Sequence, residues 1–166
     1  MYIEFENLPD HARVWIYQSE RSLTSDEVAI AENMCMKFID QWTAHQRELQ
    51  GSAQILDNRF LVLAVDENVH GASGCSIDSS VRFIEELGRK INTSFLDRRV
   101  PVYVGNELEF LTTTEIKELS NLGEITENSI FFNNLVPDLG QFKASWKVKV
   151  KDGWLKRFIV KKQTVL

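Results

Sequence analysis

The sequence contains little cysteine, histidine, glycine and proline, and each shortage excludes a class of protein. Cys35 and Cys75 are the two cysteines among 166 residues, too few for a disulfide framework or a cysteine zinc site. The three histidines show no metal-ligand spacing such as H-E-x-x-H. With 8 glycines and 3 prolines, the chain has no collagen-like or low-complexity composition. We therefore expect neither a metal nor another cofactor.

Long hydrophobic runs are also missing. The longest uninterrupted apolar run is Phe60 to Val65, whereas a membrane-spanning helix needs about 20 such residues. The first ten residues carry Glu4, Glu6 and Asp10 and lack the basic and apolar regions of a signal peptide. We therefore expect a cytoplasmic protein without membrane contact. The length is typical of one domain, so residues 1–166 are predicted to fold as a single unit.

The charge is unevenly distributed. Residues 141–166 contain eight basic side chains and one acid, giving this segment a charge of +7 in a chain of net charge −5. A positive end of this kind is expected to pack against the acidic remainder of the chain. A less favoured alternative is nucleic-acid binding, since Trp146, Trp154 and Phe158 lie between the charges.

Periodicity predicts a strand over Ala12 to Gln18 and a helix beginning at a capping box, Thr24-Ser25-Asp26-Glu27. In that helix, apolar residues recur at spacings of three and four, which places them on one core-facing stripe that includes Cys35. Gly51 suits the end of this helix. The apolar run from Arg59 to Val65 is typical of a strand buried on both faces, near the centre of a sheet.

In the second half of the chain, most of the predicted helices and strands are short. A second amphipathic helix is predicted from Cys75 or Ser76, with Asp78 in its first turn. Further predicted elements are a strand at Val100–Val104, in which Pro101 fits the first position or an edge strand; a strand at Glu107–Leu111; a helix at Thr113–Asn121 that ends at Gly123; and strands at Ser129–Phe132 and Trp146–Val150. Around Val148, apolar residues alternate with Lys147 and Lys149, and outward-facing lysines suit an edge strand. The order predicts an α+β fold, a mixed, largely antiparallel sheet with two long amphipathic helices packed on it. A three-layer α/β arrangement is the alternative.

The segment from Asp66 to Ser80 is the candidate site, because it links a buried strand to a helix, where ligands commonly bind. Glycines let a ligand approach the backbone, and the N–H groups at a helix start favour an anion. The predicted ligand-binding residues are Gly71, Ser73, Gly74, Ser76 and Ser79. The G-x-x-x-x-G-K-[ST] loop is missing, so ATP hydrolysis of that type is not expected.

A thiol-dependent enzyme is the second interpretation. Cys75 would be a nucleophile at a helix N-terminus, with His70 as its base and Asp66 orienting the imidazole. Two features oppose this. His70 and Cys75 are close in sequence, whereas such partners usually come from separate segments. Asp78 also adds negative charge near the thiol.

The same segment also fits a purely structural turn. In that interpretation the glycines shape the connection, Cys75 and Ser76 cap the helix, and Asp78 complements its dipole. No ligand is needed for this arrangement. His70 is the one residue it leaves unexplained.

Phe60-Leu61-Val62-Leu63-Ala64-Val65-Asp66-Glu67, with His70-Gly71-Ala72-Ser73-Gly74-Cys75-Ser76-Ile77-Asp78-Ser79-Ser80, resembles a family of small, uncharacterised proteins from Bacteroidota. Ile130-Phe131-Phe132-Asn133-Asn134-Leu135-Val136 and Trp154-Leu155-Lys156-Arg157-Phe158 are similar to it too. Members often carry the automatic label "ABC transporter ATPase", which the missing Walker and ABC signatures contradict. The resemblance implies a bacterial, cytoplasmic origin and supplies no catalytic residues.

The sequence therefore favours a binding domain that uses the segment from Asp66 to Ser80 for a small anion or a protein partner. A thiol enzyme using Cys75 comes second and nucleic-acid binding third.

Overall fold

The computed structural model describes residues 1–44, 47–66 and 74–160. The chain divides into two compact units, each built from helices and antiparallel strands. The first contains Met1–Asp97 and Asn134–Lys143, and the second contains Arg98–Asn133 and the residues from Ala144 onward. The described elements confirm the predicted α+β class. The prediction of a single domain over residues 1–166 stays a prediction.

The first unit contains a three-stranded antiparallel sheet in the order β1-β5-β4 and a small hairpin, β2-β3. Its elements are β1 (Arg13–Gln18), α1 (Ser25–Gln41), β2 (Thr43–Ala44), β3 (Arg47–Glu48), β4 (Gln50–Leu56), β5 (Phe60–Asp66) and α2 (Gly74–Lys90). The strands thus belong to two main sheets, one in each unit, where the sequence predicted one.

The second unit contains a four-stranded antiparallel sheet in the order β7-β6-β8-β9. Its strands and long helix are β6 (Val100–Val104), β7 (Glu107–Leu111), α3 (Thr113–Leu122), β8 (Ile130–Phe132) and β9 (Lys147–Lys149), followed by 3₁₀ turns at Val150–Asp152 and Trp154–Phe158. Between β8 and β9 the chain forms α4 (Leu139–Ser145), which the sequence did not predict.

β5 is the centre of the first sheet, as its composition predicted. All six residues from Phe60 to Val65 are fully buried. On one face, Leu61, Leu63 and Val65 pack with the stripes of α1 and α2, including Ile39 and Ile84. The two long helices therefore share one core and cover the same face of this sheet. Among the described residues, no helix has the length and apolar character to cross a membrane.

The start of α1 confirms the predicted capping box. Thr24 Oγ1 accepts the Glu27 N–H, and the Glu27 carboxylate accepts the Thr24 N–H at 2.9 Å. Arg21 adds a contact that the sequence did not predict. Its guanidinium donates two 2.8 Å hydrogen bonds to Glu27 and a third, at 2.9 Å, to the carbonyl of Ile91 after α2. This one side chain therefore connects the start of α1 to the end of α2.

The predicted end of α1 near Gly51 is wrong. The helix ends at Gln41, and Gly51 is the second residue of β4, where a Cβ atom would lie 2.9 Å from the Ala64 carbonyl oxygen. Gly51 is thus required by the close approach of β5. Asp57 and Asn58, both in the left-handed region, form the tight turn between β4 and β5.

In the second unit, α3 begins at a capping box formed by Thr112 and Glu115 and ends, as predicted, at Gly123, which has a φ of 80°. Pro101 corrects the sequence prediction. It is the second residue of β6, which lies inside the sheet, and the position is tolerated because β6 pairs with β8 at the single residue Val102. The prediction for β9 is confirmed, since Lys147 and Lys149 are exposed on an edge strand.

Leu63→Ala tests the central position of β5. Removing this fully buried side chain should cost about 2–5 kcal/mol of unfolding free energy, because it leaves a cavity in the shared core. Leu122→Ala is the matched control; its side chain is 72% exposed on α3, so we expect a change below about 0.5 kcal/mol. Equal effects in urea denaturation would contradict this account of the core.

Glu27→Gln tests the Arg21 contact through pH. Hydrogen bonds from Arg21 and from the Thr24 backbone lower the pKa of Glu27 from 4.5 to about 2. A lowered folded-state pKa contributes stability above the unfolded-state value, and this contribution is lost as pH falls from about 4.5 towards 2. Wild type should therefore be more stable than the variant at pH 7, and the gap should narrow through that range. A gap that does not change with pH contradicts this assignment.

Candidate functional site

Asp66 ends the central strand, and the antiparallel register brings His11 to it. β1 begins at Arg13, which lies opposite Val65, so the residues just before β1 lie beside the end of β5. The His11 Nε2 atom is 3.1 Å from Asp66 Oδ1. The Asp66 side chain is 13% exposed and that of His11 is 52% exposed. A largely buried carboxylate thus holds an exposed imidazole at the start of the candidate segment.

The sequence predicted that Asp66 orients His70, and the structure places His11 beside Asp66. His70 lies outside the described residues, so its role stays a prediction. His11 was missed because it is 55 positions from Asp66 in the chain. The signal that identifies it is the pairing of two predicted strands: once β1 and β5 are paired antiparallel, the residue before one meets the residue after the other.

The start of α2 is one residue earlier than predicted, and this corrects one electrostatic expectation. The helix begins at Gly74, so Asp78 is its fifth residue and the first turn contains no acidic side chain. α1 and α3 both have acids in their first turns and capping boxes at their N-termini. The positive end of the α2 dipole is therefore not offset by a carboxylate in its own first turn.

The predicted ligand-binding residues fall into two groups. Gly74 and Ser76 are in the first turn of α2, and Ser79 is half-buried in the next turn. Gly71 and Ser73 lie outside the described residues. The structure thus brings part of the predicted set onto one helix and leaves the grouping of the full set a prediction.

Contacts further along α2 hold the helix against the sheet. The buried Ser80 donates a 2.6 Å hydrogen bond to the Ile77 carbonyl and is hydrogen-bonded to Tyr17 of β1. Burial raises the pKa of Tyr17 above its usual value near 10, and the Ser80 bond partly opposes this. At the other end of the helix, Asn92 adopts a left-handed φ of 53°, and Thr93 donates to the Gly88 carbonyl at 2.9 Å. α2 is therefore anchored at several points along its length.

The two cysteines have different positions in the fold. Cys35 is buried on the core stripe of α1, as predicted, and burial raises its pKa to about 12, with a smaller contribution from Glu32. A thiol with so high a pKa is unreactive at neutral pH. Cys75 is the second residue of α2. The candidate nucleophile is therefore the cysteine at the helix start, not the one in the core.

A groove of about 580 Å³ lies at the opposite end of α2 from the predicted segment. Its lining includes Glu20, Glu85 and Arg89 around the apolar Ile84 and Leu96. Two carbonyl groups at this helix end are already bonded, since Arg21 donates to the Ile91 oxygen and the Thr93 N–H to that of Gly88. The groove thus contains both charge signs and does not select a ligand by charge.

The described part of the basic segment, residues 141–160, includes an ion pair and several exposed charges. Lys143 Nζ lies 2.7 Å from Asp10 Oδ1, between two well-exposed side chains, a pair that contributes little stability. Lys147 Nζ lies 4.8 Å from the centre of the Phe132 ring and 5.3 Å from that of Trp146. Cation–π contacts therefore fix one of these lysines. Binding of nucleic acid by this segment stays a prediction.

Comparison with protein-family models, with curated proteins and with solved structures found no match to this chain. Function is therefore inferred from its own residues and geometry.

Proposed function

We propose that this protein binds a small anionic ligand, a phosphate or a carboxylate, at the segment from Asp66 to Ser80. The observation that carries the proposal is the acid-free first turn of α2, a 17-residue helix that follows the buried central strand. The first N–H groups of a helix have no partner within it, and together with the helix dipole they favour an anion.

The His11–Asp66 pair supports this proposal. Asp66 is the first residue of the segment, and an unpaired carboxylate there would repel an anion. Its 3.1 Å hydrogen-bonding contact with His11 reduces that repulsion. The exposed imidazole also supplies a hydrogen-bonding group at the same end of the sheet. The segment has no lysine, so we propose a monophosphate or carboxylate and not a nucleoside triphosphate.

Asp78→Asn tests whether the start of α2 attracts the anion. Removing the negative charge just beyond the first turn should tighten binding of inorganic phosphate or small carboxylates about two- to fivefold, from the size of helix-dipole interactions. Glu86→Gln is the matched control, an exposed acid two turns further along the helix. Ligand-dependent melting temperatures report the affinities. No response of the wild type to any anion, or equal responses of the two variants, overturns the proposal.

A thiol-dependent enzyme is the second candidate, and the corrected helix start favours it. Cys75 occupies the second position of an acid-free first turn, and a helix N-terminus lowers a thiol pKa and increases its thiolate fraction. His70 stays the predicted base, and His11, 3.1 Å from Asp66, is a second histidine at the same end of the sheet. The protein would then bind an electrophilic substrate at the same helix start.

The pH dependence of alkylation separates this enzyme from a simple binding protein. We expect an activated Cys75 to react with an apparent pKa below about 7. Cys35 serves as the internal control, because its pKa of about 12 prevents reaction under the same conditions. Mass spectrometry of the two peptides after timed labelling gives both rates. An apparent pKa of Cys75 near the free-thiol value of about 8.5 removes the nucleophile.

We also propose that the protein is cytoplasmic and of bacterial origin. Both derive from the sequence and from the resemblance to Bacteroidota proteins. A protein partner at the same segment is the alternative to a small ligand.

A further inference from the structure

The groove at the end of α2 lies wholly within the first unit, between the last two turns of the helix and the segment that follows it. Its lining comes from Glu20 and from residues 84–96. A volume of about 580 Å³ falls in the range of sites that hold a small molecule. The groove is therefore large enough for a ligand of its own, separate from the segment at the start of α2.

The groove has an apolar floor. Ile84 is fully buried and Phe95 is 2% exposed. Gly88 lies one turn after Ile84, and a Cβ atom there would be 2.6 Å from the Thr93 carbonyl oxygen, so glycine lets the following segment return close to the helix. Leu96, which also lines the groove, is 45% exposed. An apolar group of a ligand would remove this side chain from water.

Two opposite charges lie beside this floor. Glu85 directly follows Ile84 and Arg89 directly follows Gly88, so the charged pair runs along the helix next to the apolar pair. Residues four apart on a helix are about 5–6 Å apart and can form an ion pair. Within the part of the chain that the structure describes, however, neither of these exposed side chains has an ion-pair or hydrogen-bond partner. A carboxylate and a guanidinium are thus available to a ligand on neighbouring turns.

The presence of both signs disfavours a ligand of one sign. An anion bound at Arg89 would be repelled by Glu85, and a cation bound at Glu85 would be repelled by Arg89. A ligand that carries both charges meets an opposite charge at each position. Glu86 and Lys90 form a second acid–base pair of the same spacing on α2, but they lie outside the groove lining. The groove therefore combines an apolar floor with the one pair that lines it.

We propose that this groove binds a free α-amino acid with an apolar side chain. The ammonium group of the ligand donates to the Glu85 carboxylate, and its carboxylate accepts hydrogen bonds from the Arg89 guanidinium, whose planar fork suits two parallel bonds. Both charged groups of an α-amino acid are attached to one carbon atom, so they reach two side chains on neighbouring turns. The apolar side chain of the ligand covers Ile84 and Leu96.

Calorimetric titration of the full-length chain with L-leucine tests this site. We expect the wild type to bind L-leucine, and Glu85→Gln and Arg89→Gln each to weaken binding about tenfold, the size of a charge-assisted hydrogen bond. Glu86→Gln and Lys90→Gln are the matched controls, an exposed acid and an exposed base of the same helix outside the groove lining, and they should leave the affinity unchanged. Melting curves without ligand establish that each variant is folded.

Two leucine derivatives separate the contacts. Leucinamide keeps the ammonium group and lacks the carboxylate, so Arg89→Gln should not weaken its binding. N-acetyl-leucine keeps the carboxylate and lacks the ammonium group, so Glu85→Gln should not weaken its binding. Each derivative should bind the wild type more weakly than L-leucine does, because one of its ends meets a charged side chain without compensation.

The start of α2, at the opposite end of the helix, is proposed to bind carboxylates too, so the deciding quantity is the difference between each groove variant and its control. Equal affinities for L-leucine in the wild type, Glu85→Gln and Arg89→Gln overturn the amino-acid site, whatever binds at the start of the helix. A wild type that does not bind L-leucine overturns it as well. A leucinamide affinity equal to that of L-leucine also contradicts the proposal, because the carboxylate would then contribute nothing.

Discussion

The complete burial of β5 is the constraint on which the first unit depends. Six consecutive apolar residues in an extended strand can be removed from water only if both faces are covered and both edges are paired. β1 and β4 supply the edges, and α1 and α2 supply one face from a single shared core. The same burial fixes the position of Asp66, the first polar residue of this strand, and therefore the place where a polar site can begin.

The helix ends are stabilised partly by neighbouring residues and partly by residues that are distant in the sequence. α1 and α3 satisfy their first N–H groups with capping boxes, made within four residues of sequence. The end of α2 depends instead on Arg21, some 70 positions away, which binds the Ile91 carbonyl and the Glu27 carboxylate together. Because that contact joins two helices through one guanidinium, the packing of α1 and α2 and the shape of the groove beside them are coupled.

The sequence predicted those elements whose signals are local. The capping box at Thr24, the apolar run of β5 and the alternation around Val148 each depend on a few neighbouring residues, and each prediction is confirmed. β4 was missed because its polar, glycine-containing sequence becomes a strand only through pairing with β5. α4 was missed too; it is seven residues long, and Asp138 helps to fix its start by accepting the Gln141 N–H at 2.7 Å.

The same distinction holds for the candidate site. Its location at the end of β5 was predicted from the order of elements, whereas His11 follows from the strand register, which composition does not give. The position of Asp78 relative to the helix start depended on a single residue at the boundary, the part of a helix that sequence patterns determine least.

The division of the chain has a consequence for how the protein is made. The first unit includes residues 134–143, although residues 98–133 belong to the second. A ribosome synthesises the chain from its N-terminus. The Val14 N–H of β1 therefore lacks its acceptor, the Pro137 carbonyl, until about 120 further residues have been synthesised. During that interval the Val14 end of the β1 edge has no partner from residues 134–143, and the order of synthesis sets how long the nascent chain presents that edge to its surroundings.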